Sequence, residues 1–206
     1  GQNYWDVAIS ENGNQIQGVL PYYEPRSGYI QVPRLTPFLG PYICYPKGQK
    51  YATRISHEMN VLDDLIKKLP GFSYYNQKFS PFITNWLPFY WEGFRQTTRY
   101  TYIISDIADY DATWSGFQGI KSNIKKAQKK VKVRYDLDLD EFIKINALTF
   151  LRQGRKLPYS KELVYSIYHK KKKKKQRRIF YAEDAEHRIH SAIYIVWDMN
   201  CAYYLM

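Results

Sequence analysis

Val7-Ala8-Ile9-Ser10-Glu11-Asn12-Gly13-Asn14-Gln15-Ile16-Gln17-Gly18-Val19-Leu20 reads as strand, polar turn, strand. Phe180 to Ile193 reads as the same unit again. Ile16-Gln17-Gly18-Val19-Leu20 follows Glu11-Asn12-Gly13-Asn14, and Ile189-His190-Ser191-Ala192-Ile193 follows Asp184-Ala185-Glu186-His187. The offset is 173 residues, without a gap, and it carries Pro25-Arg26-Ser27-Gly28 onto Asp198-Met199-Asn200-Cys201. Few residues are identical, so the match is one of pattern. Hairpins are common objects, and coincidence competes with repetition. Repetition would mean two copies of one supersecondary unit, with the cleft between them as the default place for function.

The 206 residues suit one large domain or two small ones. Hydrophobic content of 45% is ordinary, and no apolar run approaches the roughly 20 residues of a membrane span. Nothing at the amino end reads as a signal peptide. The chain already looks like the inside of a fold at Gln2-Asn3-Tyr4-Trp5 and closes on the apolar Ala202-Tyr203-Tyr204-Leu205-Met206, so a fragment is expected. Cys44 and Cys201 form no CxxC pair, which points to a reduced, cytoplasmic protein. His187 and His190 lie three apart on an expected strand, point to opposite faces, and offer no metal site. The net charge of +12 calls for an anionic partner: nucleic acid, a nucleotide phosphate or an acidic membrane surface met peripherally. The 21 tyrosines can stack on bases or sugars, or simply fill a core.

Along the chain, Val7–Ile9 and Ile16–Tyr23 form the first hairpin. Pro33, Pro37, Pro41 and Pro46 exclude a central strand or helix there. Tyr51 to Leu69 is predicted helical, with Ile55, Met59, Leu62, Ile66 and Leu69 on one face, and Pro70-Gly71 ends it. Phe72 to Phe79 is predicted to be a strand, Asn85 to Phe94 an aromatic loop, and Thr97 to Ser105 a β-rich run.

From Trp114 to Val133, an apolar stripe of Trp114, Phe117, Ile120, Ile124, Ala127 and Val131 predicts one helix, with Asp111 as its N-cap. Lys121, Lys125 and Lys129 form a second stripe, flanked by Lys126 and Lys130. Such a face is either solvated, as cations near a helix carboxyl end often are, or made for phosphate. Val131–Tyr135 alternates like a strand. Asp140–Gln153 is predicted helical, with Phe142, Ile145 and Leu148 inward, and Leu157-Pro158-Tyr159 breaks it. Ser160 caps the next helix, whose inward residues are Leu163, Val164 and Ile167. The basic run Lys170 to Arg178 closes that helix, as a solvated loop or an anion-binding patch. Strands at Ile179–Glu183, Arg188–Trp197 and Ala202–Met206 follow.

Strand, helix, helix, strand, strand, strand is the opening order of the GNAT acyltransferase fold. Within it, Trp114 followed by Lys121-Ser122-Asn123-Ile124-Lys125-Lys126-Ala127 resembles the basic-helix signature of the Fem-type (FemABX) peptidoglycan bridge aminoacyltransferases. Thr149-Phe150-Leu151-Arg152-Gln153-Gly154 with Leu157-Pro158 resembles the segment that follows it there. Phe180-Tyr181-Ala182, Ser191-Ala192-Ile193 and Tyr203-Tyr204-Leu205-Met206 are similar to strands of that family's second domain, and Asn85-Trp86-Leu87-Pro88-Phe89 with Gly93-Phe94 to the close of its first.

The resemblance implies an α/β (α+β) fold of tandem GNAT-like domains, mixed sheets flanked by helices, divided as 1–110 and 111–206. The second would be truncated at its carboxyl-terminal end. It implies acyl or aminoacyl transfer to an amine, such as that of a cell-wall peptide precursor, in a cleft between the lobes. Aminoacyl-tRNA or acyl-CoA would be the co-substrate, and no cofactor would be tightly bound. The partner is then a phosphorylated substrate: tRNA, acyl-CoA, or a nucleotide- or lipid-linked precursor. An activated ester or thioester needs no enzyme nucleophile, in keeping with a sequence that holds no GxSxG motif. Lys121, Asn123, Lys125 and Arg152 are the candidate contacts to phosphate or substrate, with Trp114 and Tyr159 as packing or stacking walls; catalytic residues are not assigned. Two departures weaken the match. Lysine replaces the family's usual arginine in the basic helix, and the expected ligand loop would lie past Met206. Two other readings compete: an acyl-CoA-dependent N-acetyltransferase, and a non-enzymatic RNA- or precursor-binding module on the same scaffold.

Overall fold

The structure is a computed structural model that describes residues 4–173 and 175–206, with the side chains of Gln118 and Lys171–Lys173 outside the description. It is a mixed α and β architecture in two compact units, Gly1–Thr98 and Arg99–Met206. The division falls at Thr98/Arg99 instead of the expected 110/111. No helix among the described residues is long and apolar enough to cross a membrane.

In the first unit, β1 (Trp5–Asn12) and β2 (Gln15–Tyr23) pair antiparallel around a turn with Gly13 at φ +59°. Ser10 pairs with Gly18 but Glu11 pairs with Ile16, so Gln17 is an extra residue on β2, a bulge. After β3 (Tyr29–Gln31), β4 (Tyr42–Ile43) adds to the other edge of β2. α1 (Tyr51–Lys67) packs across the inward face of the sheet, and its buried residues include Val61, Leu62, Leu65 and Ile66. Contact is closest at Gly18, where a Cβ would sit 2.5 Å from Val61 Cγ1. β5 (Tyr74–Asn76) pairs parallel with β3. The predicted strand Phe72–Phe79 thus shrinks to three residues. The predicted aromatic loop contains a short helix, α2 (Leu87–Trp91). Pro88 sits in its first turn, where the missing N–H has no intrahelical partner to lose. Phe89 is buried against Phe79 and Phe94, ring centroids 5.0 and 5.3 Å away.

Thr97–Ser105, which runs from the end of the first unit into the second, forms no strand, and Tyr100 and Tyr102 are fully exposed. β-forming residues without a neighbouring ladder have nothing to pair with. The helix expected from Trp114 is broken into α3 (Tyr110–Gly116), a 3-10 turn at Gln118–Ile120, and α4 (Lys121–Gln128). Gly116 and Gly119 flank the break, where helix propensity is poor. Asp109, not Asp111, caps α3, accepting from Ala112 N at 2.9 Å. The apolar stripe is not buried on either helix.

From there the predicted order holds: β6 (Lys132–Tyr135), α5 (Leu139–Leu151), α6 (Lys161–Lys173), β7 (Arg177–Glu183), β8 (Ile189–Trp197), β9 (Ala202–Tyr204). The four strands form one antiparallel sheet in sequence order. Asp138, in place of Asp140, caps α5, accepting from Asp140 N and Glu141 N. α5 buries Leu139, Phe142 and Ile143, while Leu148 faces outward. Ser160 Oγ accepts from Leu163 N at the start of α6, as expected. The core gathers Phe142, Val164, Ile179, Tyr194 and Val196.

The two hairpins share a detail beyond pattern. On β8, His190 is the extra residue, because Ala182 pairs with Ser191 and Glu183 with Ile189. Gln17 and His190 stand at the expected offset. The offset is nevertheless not gapless. Ala8 pairs with Leu20 whereas Phe180 pairs with Ile193, so the second turn is one residue longer. The third strands also differ: β9 pairs with β8, but β3 leaves the β1–β2 sheet for β5.

Candidate functional site

The residues nominated from sequence all lie in the second unit. Two come together. Lys121 opens α4, its Nζ 5.7 Å from the Trp114 ring centroid and bonded to Ser115 O at 3.4 Å. Trp114 in turn stacks on Tyr110, centroids 6.3 Å apart and planes within 6°. The 3-10 turn folds Lys121 back over the indole, a cation–π contact of about 0.5–1 kcal/mol at an exposed site. Asn123 and Lys125 project from α4 into solvent. The result is an aromatic and basic surface.

Arg152 is exposed at the carboxyl end of α5. Tyr159 is half-buried; its hydroxyl donates to Asn146 Oδ1 at 2.5 Å, and its ring meets Phe150 edge-on. Burial pushes its phenol up to about 12, so it is a neutral donor at physiological pH. Tyr159 thus ties the Leu157-Pro158 turn to α5, and it serves as a strut in this geometry.

The first unit holds a polar cluster that periodicity did not flag. Glu58 is 8% exposed on the inward face of α1, among Val61, Leu62 and Leu65. Tyr45 OH donates to its Oε1 at 2.8 Å, Arg54 Nε reaches the same oxygen at 3.4 Å, and Asn85 Nδ2 donates to Oε2 at 3.4 Å. The Arg54 guanidinium lies 4.0 Å over the Tyr45 ring. Burial, then the bond to Glu58, raises the Tyr45 phenol above its ordinary value. His57 Nε2 bonds Cys44 O at 2.8 Å, fixing the strand that leads into Tyr45. Beside the cluster is a small hollow lined by Ile43, Phe82, Ile83 and Thr84. The signal in sequence was a glutamate on an apolar helical stripe, one turn before Leu62.

The two histidines of the second hairpin bind carboxylates: His187 Nδ1 to Glu183 Oε1 at 2.9 Å and His190 Nε2 to Asp184 Oδ2 at 2.8 Å. Among the described residues no group of three or more His, Cys, Asp or Glu is placed to hold a metal. No family model, curated protein or solved structure matches this chain.

Proposed function

We propose that the chain is an acyltransferase acting in the cytoplasm, moving an aminoacyl or acyl group from a phosphate-bearing donor to an amine. The observation that carries this reading is the second unit's β-α-α-β-β-β order, the order that opens the fold the resemblance implies, although its four-stranded sheet is wholly antiparallel where mixed sheets were expected. The paired bulges at Gln17 and His190 support a duplicated lobe. In such a transfer the deprotonated amine attacks the donor carbonyl, the carbonyl oxygen carries the negative charge, and the tRNA hydroxyl or thiol leaves with a proton. Half-buried Lys121 and exposed Lys125 offer cations for donor phosphates beside the Trp114 face. Their test is a salt titration of tRNA or acyl-CoA binding. Lys121→Ala with Lys125→Ala should lower the salt slope by about 1 per lost phosphate contact. An unchanged slope removes both from the role. Acyl transfer itself is assayed with charged tRNA and acyl-CoA in parallel; product from neither donor, with a panel of amine acceptors, rejects the reading.

The open, basic character of the α3–α4 surface favours a second reading, a binding module without catalysis. It is distinguished by tight donor binding with no turnover.

A further inference from the structure

Among the described residues, no N–H or C=O group of residues 95–105 is bonded to another backbone group. Within that stretch Arg99-Tyr100-Thr101-Tyr102-Ile103-Ile104 is rich in aromatic and β-branched residues, the composition of a strand. The same unit holds an open sheet edge. Among the described residues β6 pairs with β7 alone, and all four of its residues are exposed, Val133 by 72% and Tyr135 by 61%. Asp136 N donates to Ile179 O at 2.8 Å. In an antiparallel ladder the direction of bonding alternates along the strand, so the peptide groups of Val133 and Tyr135 point away from β7. Their side chains share the sheet face of Phe180 and Ile193, opposite the face on which Tyr194 meets Phe142 of α5. An open edge of this kind is a template for an added strand.

We propose that residues 99–106 of one copy add antiparallel to β6 of a second copy, and that the exchange is reciprocal, giving a two-fold dimer. Charge sets the direction. The segment is entered through Arg95 and Arg99 and left through Asp106, Asp109 and Asp111. β6 is entered through Lys129, Lys130 and Lys132 and left through Asp136 and Asp138. Antiparallel pairing brings opposite signs together at both ends, whereas parallel pairing brings like signs together. Among the described residues, Arg99, Asp106, Lys129 and Asp136 form no salt bridge within one chain. The register that sets Arg99 beside Asp136 also sets Tyr100 beside Tyr135, Tyr102 beside Val133, Ile104 beside Val131 and Asp106 beside Lys129. It extends the apolar face of the sheet by one strand. The other edge, β9, has no charged residue from Met199 to Met206 to select a direction. A second copy is the occupant because each chain carries one unpaired strand and one open edge, and within a chain α3 and α4 stand between them in sequence. The inference stands apart from acyl transfer.

The mass of the full chain in solution, read by light scattering, tests it. At tens of micromolar the mass should be that of a dimer, falling to that of a monomer on dilution. Tyr102→Pro removes an N–H that the Val133 carbonyl would accept, and should weaken the dimer about tenfold or more. The segment is unpaired in the single chain, so the fold should survive, and circular dichroism checks this. Arg99→Glu, set against Asp136, should also weaken the dimer. Adding Asp136→Asn should restore part of the loss, since asparagine tolerates the φ of 64° there. Thr101 and Arg134 would face each other as a non-hydrogen-bonded pair with Cα atoms about 4.5 Å apart, within reach of a disulfide. Thr101→Cys with Arg134→Cys, in a background of Cys44→Ser and Cys201→Ser, should therefore give a covalent dimer on mild oxidation. Chymotrypsin should cut at Tyr100 and Tyr102 more slowly as protein concentration rises, while the dilute chain stays open there. A monomer at every concentration, a dimer indifferent to Tyr102→Pro and Arg99→Glu, or a disulfide closed within one chain overturns the proposal.

Discussion

Glu58 shows what one residue can hide. By spacing it belongs to a stripe meant for leucines, and hydropathy marks it only as an exception. Its three donors come from the loop before α1, from α1 itself and from the segment before α2, and no local pattern brings those together. Glu58→Ala should therefore destabilise the first unit by about 1–3 kcal/mol, since Tyr45 and Asn85 would lose their acceptor. Denaturant melts of the variant measure this. Tyr194 is the opposite case. It is fully buried, its hydroxyl has no partner among the described residues, and burial raises its phenol to about 12. Tyr194→Phe should be neutral or stabilising by up to about 1 kcal/mol, because it removes an unsatisfied group while keeping the ring against Phe142. A fall in the melting midpoint would show that the hydroxyl is engaged after all.

Elements were legible where the signal was local. Alternation marked both hairpins, and the 3.6-residue period marked α1, α5 and α6. Failures came where a distant partner decides. Thr97–Ser105 has strand chemistry and no neighbour; the stretch from Trp114 has helical spacing and two glycines that interrupt it. None of the candidate residues could be placed in a pocket by spacing, since spacing fixes a face and not what stands opposite. At this scale Gly18 is a sharp test. Ala there would strike Val61 and Tyr42 O, 2.5 and 3.0 Å from the new Cβ, and should cost about 1–3 kcal/mol by forcing β2 off α1. The second hairpin carries an acid-sensitive counterpart. The His190 bond, then Arg188, holds the Asp184 carboxyl well below its ordinary 3.8. The His187 bond, then Arg134, holds Glu183 below its ordinary 4.5. A carboxyl with a depressed folded value stabilises above its unfolded value and loses that contribution as pH falls through the folded one. Melting midpoints should therefore decline below about pH 4. Asp184→Asn should lower the midpoint at neutral pH and flatten that decline.

At the scale of the whole molecule, the division at Thr98/Arg99 leads into a stretch, residues 99–109, that has no regular elements and shows exposed Tyr100, Tyr102, Ile103 and Ile107. Brief proteolysis with chymotrypsin should cut there first and yield two fragments near the sizes of the units. Initial cleavage inside either unit would contradict the division. Composition raised the expectation of an anionic partner, because net charge sums over the chain. It could not say which cations would meet such a partner, because a net charge carries no positions.

The two bulges bear on how the length of this protein can vary. Removing Gln17 would leave Ser10 with Gly18 and Glu11 with Ile16, and removing His190 would leave the matching pairs intact at the cost of its bond to Asp184, so the register would hold while the local twist relaxes. Elsewhere in either ladder, losing one residue would turn a strand inside out. Each hairpin thus has one point where the gene can shorten by a codon without inverting the core.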